Sequence, residues 1–133
     1  VTGDMTAWLR AQVEADKAAA ELAAREGSQW KQDDPQHYPG AISSLGGPVV
    51  YDEGAPDEHQ AAHIVIHDPR DKIADCDAKL RLLDEYEARE NDVVLMLGPE
   101  CERQRQWSGL RLAVRLLASG YRHRDGWQEG WSA

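Results

Sequence analysis

The sequence predicts a mainly α-helical fold, a small bundle of about four helices carrying a short β-hairpin insertion, with an α+β arrangement as the alternative. Three observations predict it. Apolar residues recur at three- and four-residue steps through three long segments. One stretch, 29–56, breaks that rhythm with prolines and glycines around two short β-like runs. Within the triplet His67-Asp68-Pro69, Asp68 is an N-cap and Pro69 takes the first helical position, which marks a helix start.

The elements follow in order. A first helix is expected at 4–25, with Met5, Trp8, Leu9, Val13, Ala20 and Ala23 on one face, Thr2 or Asp4 as its cap and Gly27 as its stop. In the hairpin region 29–56, Ala41–Leu45 and Val49–Tyr51 read as strands joined at Gly46-Gly47, and Trp30 starts a third. Strands this short need helices to lean on. A short helix at 57–67 comes next, then one at 69–90 whose stripe is Ile73, Cys76, Leu80 and Leu83. Val93–Leu97 fits a strand or a helical turn equally. A last helix at 100–119 turns Trp107, Leu110, Val114 and Leu117 inward and stops at Gly120. Trp127 and Trp131 anchor a tail, 121–133, that docks on the body.

With 133 residues, the chain is expected to form a single domain, 1–133, with a core that needs neither disulfide nor metal. Its net charge of −9 disfavours binding to nucleic acid or to an anionic membrane. No apolar run has the length of a membrane span, and the Ala- and charge-rich N-terminus lacks the pattern of a signal peptide. Cys76 and Cys101 form no CxxC pair and read as reduced thiols, so a cytoplasmic location is expected.

Candidate chemistry is sparse. His59, His63 and His67 share a helical ridge, and His63 and His67 form HxxxH, a spacing at which two imidazoles reach one ion. Ile64 follows His63 where a zincin has glutamate, which rules out zincin proteolysis. His123 is the candidate third nitrogen for a zinc site; Cys76, Cys101 and Asp68 are the other donors. The bland reading makes His63 a half-buried, hydrogen-bonded histidine and Asp68 only a helix cap. Arg103, Arg105, Arg111, Arg115, Arg122 and Arg124 lie in a segment without acids. It carries +6 and leaves −15 for the rest of the chain. Those arginines offer a basic partner surface, or else pair internally with acids such as Glu14, Glu21, Asp75 and Asp84. A helix-turn-helix is disfavoured because Asp71, Asp75 and Asp77 would face the groove. No nucleophile elbow, P-loop or dinucleotide fingerprint occurs, and no catalytic residue or cofactor-binding residue is assigned.

Three segments together resemble the actinobacterial and phage family DUF6221. They are Met5-Thr6-Ala7-Trp8-Leu9-Arg10-Ala11-Gln12-Val13-Glu14-Ala15-Asp16; Ala62-His63-Ile64-Val65-Ile66-His67-Asp68-Pro69 with Ala78-Lys79-Leu80-Arg81-Leu82-Leu83; and Arg115-Leu116-Leu117-Ala118-Ser119-Gly120-Tyr121-Arg122-His123 with Trp131. The central AHIxxHDP block is the most specific. Relatives often carry cysteines before the last helix, where this chain has only Cys101, and His-Pro-Asp-Tyr where it reads His123-Arg124-Asp125-Gly126-Trp127. The resemblance implies no reaction.

The functional expectation is a small cytoplasmic accessory protein, cellular or phage-encoded, that binds a partner protein, with the balance leaning against an enzyme and that question left open. It requires no cofactor, and a homo-oligomer is compatible with it. The alternatives are a metal-binding protein, conceivably a hydrolase, that holds zinc at the HxxxH pair, and an acidic inhibitor or nucleic-acid mimic.

Overall fold

The computed structural model describes residues 2–50, 56–93 and 102–133. It has four helices, α1 (Thr2–Ala23), α2 (Glu58–Ile66), α3 (Pro69–Val93) and α4 (Glu102–Ser119), and three strands, β1 (Lys31–Gln32), β2 (Ile42–Ser44) and β3 (Gly47–Val50). Short 3-10 turns cover Ala24–Glu26 and Glu129–Trp131. The protein is therefore mainly α with a small antiparallel sheet of order β1-β2-β3. No helix among the described residues is long and apolar enough to cross a membrane. The ambiguous run 93–97 lies, after Val93, outside the described residues, as do Tyr51 and Cys101.

The chain forms two compact units, Val1–Glu14 with Ala78–Ala133, and Ala15–Asp77. In the first unit the buried residues are Met5, Leu9 and Val13 of α1, Leu83 and Tyr86 of α3, Val114 and Ala118 of α4, and Tyr121 and Trp131 beyond it. The tail docks through aromatic contacts. The Trp8 ring centroid lies 5.8 Å from that of Trp127 and 5.2 Å from that of Trp131. Trp8 Nε1 donates to the carbonyl of Asp125 at 3.0 Å. Gly126 turns there with φ +84°, and a Cβ on it would meet Trp8 Nε1 at 2.8 Å. Only glycine fits both that backbone and that approach.

The second unit has a core of small and medium residues, chiefly Ala20, Ala41, Ile42, Ala61 and Cys76. Polar ties supplement it. Asp57 caps α2 through a reciprocal box: its carboxylate accepts from Gln60 N, and the Gln60 side chain accepts from Asp57 N. Asp68, 2% exposed, accepts from Asp71 N at 2.9 Å and from Trp30 N at 3.2 Å. One carboxylate thus starts α3 and fixes the chain entering β1. Arg70 N, near the start of α3, donates to the Ser28 carbonyl at 2.9 Å.

Several boundaries differ from expectation. The hairpin turns at Leu45-Gly46 rather than Gly46-Gly47, since Ser44 pairs with Gly47. A long-range contact sets this position: a Cβ on Gly46 would lie 2.0 Å from the Glu26 carbonyl oxygen. α1 begins at Thr2, so Asp4 sits in its first turn instead of capping it. Ala23 is exposed, and Ile73, Leu80 and Leu117 are only half-buried, as is Trp8. The sequence stripe set Leu80 inward with Ile73, Cys76 and Leu83, but a straight helix advances about 100° per residue. The buried set Cys76, Leu83 and Tyr86 therefore leaves Leu80 at the stripe's edge.

Candidate functional site

α2 is short, capped at its N-terminus by Asp57 and closed at its C-terminus by His67, whose N–H reaches the carbonyls of Ile64 and Val65. That geometry sets His63 and His67 one turn apart at the helix end. Their ring centroids lie 4.7 Å apart at 63°, edge to face. Both are exposed, and so is His59 one turn earlier. His63 is therefore not the half-buried histidine of the bland reading: α2 buries only Ala61. A shallow groove beside the ridge is lined by Pro56, Asp57, His59, Gln60, His63 and Ile64.

His63 and His67 belong to the second unit, and His123, also exposed, belongs to the first. Among the described residues, no three or more His, Cys, Asp or Glu side chains are grouped to hold a metal ion. Cys76 is a buried thiol. Both carboxylate oxygens of Asp68 are occupied by backbone N–H groups.

The arginines divide by what they touch. Arg115 donates from Nε and Nη2 to the carbonyls of Trp131, Gly130 and Ser132, closing the C-terminal 3-10 turn. Arg111 stacks on Trp107 at 5.4 Å. Arg124 lies over Tyr121 at 4.7 Å and donates to the Gln12 side chain. Arg122 donates to the Ser119 carbonyl. Arg105, Arg122 and Arg124 are exposed, and the Arg103 side chain lies outside the described residues. The contacts of Arg111, Arg115 and Arg122 among the described residues are thus with an aromatic ring and with carbonyls. Asp84 and Glu87 instead hold Arg10 at 2.8 and 3.2 Å. Glu21 pairs with Lys17, whose closer partner is Asp77 at 2.7 Å. Burial pulls the Arg10 pKa down, but the hydrogen bonds and charges of Asp84 and Glu87 outweigh it and raise the value. Asp77 likewise raises that of Lys17.

Two residues on the same helix were not singled out by sequence reasoning. Leu112 and Leu116 of α4 are 52% and 57% exposed. They stand one turn apart on the side away from buried Val114 and Ala118. The signal was present: six apolar residues crowd 110–117, more than one inward face can absorb.

The model of a family described as "Family of unknown function (DUF6221)" matches residues 2–133, so the chain belongs to that family. No curated protein and no solved structure matches it.

Proposed function

We propose that this DUF6221 protein is an accessory protein that works by binding a protein partner through the outer face of α4. The observation that carries the reading is the pair Leu112 and Leu116, each more than half exposed, on the most basic segment of an acidic chain. Paired leucines one turn apart present a continuous apolar ridge of the kind that seats a partner helix. Exposed Arg105 precedes the ridge by two turns, and exposed Arg122 and Arg124 follow α4. This mixture fits a partner segment that is itself apolar and acidic. Nucleic acid, which offers phosphate without an apolar face, would leave the leucines in water.

The test is differential capture from an actinobacterial lysate, with wild type, the double variant Leu112→Asp/Leu116→Asp, and Leu22→Asp as baits. Leu22 is a comparably exposed leucine, at 58%, on another helix. The expected result is a protein retained by wild type and by the Leu22 variant, lost with the double variant, and weakened by raised salt. Circular dichroism should show all three baits equally folded. Retention by the double variant, or equal loss with Leu22→Asp, would overturn the proposal.

A further inference from the structure

α2 carries chemistry that the α4 surface does not use. His63 and His67 are exposed, adjacent and on one ridge, with ring centroids 4.7 Å apart. Side chains four apart on a helix are neighbours, and two imidazoles in that relation can ligate one ion. The donor set is half of what zinc takes in a closed site, where four ligands are arranged tetrahedrally. Among the described residues nothing completes it: Asp68 is committed to Asp71 N and Trp30 N, and no three-ligand group exists there.

We propose that His63 and His67 form one half of a zinc site that the same pair from a second copy of the chain completes. A two-fold pairing needs only one self-complementary patch, and an HxxxH ridge contributes two nitrogens from each side. Ile66, 66% exposed at the end of α2, gives the contact an apolar edge to cover. Charge couples the pairing to metal. Each chain carries −9, so net charge opposes pairing of two copies, and a divalent cation between them offsets part of that repulsion. His59 is one turn further from the helix end and makes no ring contact with His63 among the described residues. It is a flanking residue in this scheme. The proposal does not depend on the α4 surface and survives if that surface binds nothing.

The experiment uses the full chain without a histidine tag, freed of metal and titrated with zinc chloride at neutral pH. Light scattering on a sizing column and bound zinc per chain are the readouts. The expected result is a doubling of mass with about half a zinc per chain, reversed by EDTA. His63→Asn and His67→Asn should each abolish both effects, while His59→Asn and His123→Asn should keep them. All four substituted histidines are exposed, so folding is not at stake; circular dichroism verifies it. No zinc retained, one zinc per chain on a monomer, or dimerisation surviving His63→Asn would each overturn the proposal.

Discussion

The two compact units are held by different means. In the unit built from Val1–Glu14 and Ala78–Ala133, large side chains do most of the packing. Leu9, Val13, Leu83, Tyr86 and Val114 are fully buried there, and Trp131 is 5% exposed. In the unit Ala15–Asp77, Ile42 is the largest fully buried side chain among the described residues. Its definition comes instead from carboxylates on backbone N–H groups, from the hydroxyl of Ser43 on Asp33 at 2.7 Å, and from Lys17 and Lys72 on Asp77 and Asp16. Such ties are directional but individually modest, whereas apolar burial is non-directional and additive with area. A three-stranded sheet with strands of two to four residues has too little inward surface for the second strategy alone.

The comparison is tested hardest at Leu83 and Leu80. Leu83, 0% exposed, loses its whole side-chain environment in Leu83→Ala, at a cost of about 2–5 kcal/mol. Leu80→Ala, on a half-buried residue three positions earlier, should cost roughly half as much or less, in proportion to the apolar area withdrawn from water. Urea unfolding with unchanged slope would measure both. Equal costs would mean that the stripe is centred on Leu80 and that the division into core and edge is wrong.

Asp68→Ala is the matching test of the polar unit. Two buried N–H acceptor bonds go, to Asp71 and Trp30. A cap alone is worth about 1 kcal/mol, and a second orphaned N–H carries the total to about 2 kcal/mol. Asp68→Asn keeps one acceptor oxygen and should recover about half of the loss. Thermal melting compared across wild type, Asn and Ala would show this order. If Asn melts with wild type, the tie to Trp30 contributes nothing beyond the cap.

What the sequence made legible follows from the range of the interactions involved. Asp68-Pro69 was readable because a cap acts over three residues. The Asp57/Gln60 box was equally local, and its D-x-x-Q spacing was there to be read. The Leu45-Gly46 turn was not, because Glu26, twenty positions away, sets it. Counting arginines fixes the charge but not the contacts. Charge on a sequence does not say that Arg115 will spend its donors on three carbonyls of the tail. Of the candidate site, the HxxxH ridge followed directly from helical spacing. Its exposure depended on α2 burying a single alanine, which periodicity over nine residues could not decide. The inward set Trp107, Leu110, Val114 and Leu117 already leaves Leu112 and Leu116 off that face of α4, in keeping with their exposure.

Tyr86 gives the smallest expected effect and the sharpest contrast with Asp68. It is 0% exposed, and its ring stacks on Trp107 at 6.2 Å and 21°. Yet its hydroxyl is buried with no hydrogen-bond partner among the described residues. Among those residues the packed unit thus buries a polar atom that it does not satisfy, whereas the polar unit satisfies both oxygens of Asp68. Tyr86→Phe removes the hydroxyl and keeps the ring. Since no hydrogen bond is lost, stability at neutral pH should stay level or rise by up to about 1 kcal/mol. The alkaline limb carries a second signature. Burial, and after it the charge of Glu90, push the phenol above its usual pKa, with Arg111 opposing. The folded chain therefore holds this proton where the unfolded chain releases it. The resulting stabilisation is full below the ordinary tyrosine pKa of about 10 and is lost as pH rises through the folded value. Urea unfolding of wild type and Tyr86→Phe at neutral pH and above pH 10 isolates the contribution, because the other tyrosines and lysines titrate in both proteins. The variant should gain on wild type as pH rises. A loss of 1 kcal/mol or more at neutral pH would instead show that the hydroxyl has a partner, and that the packed unit too relies on a buried polar tie.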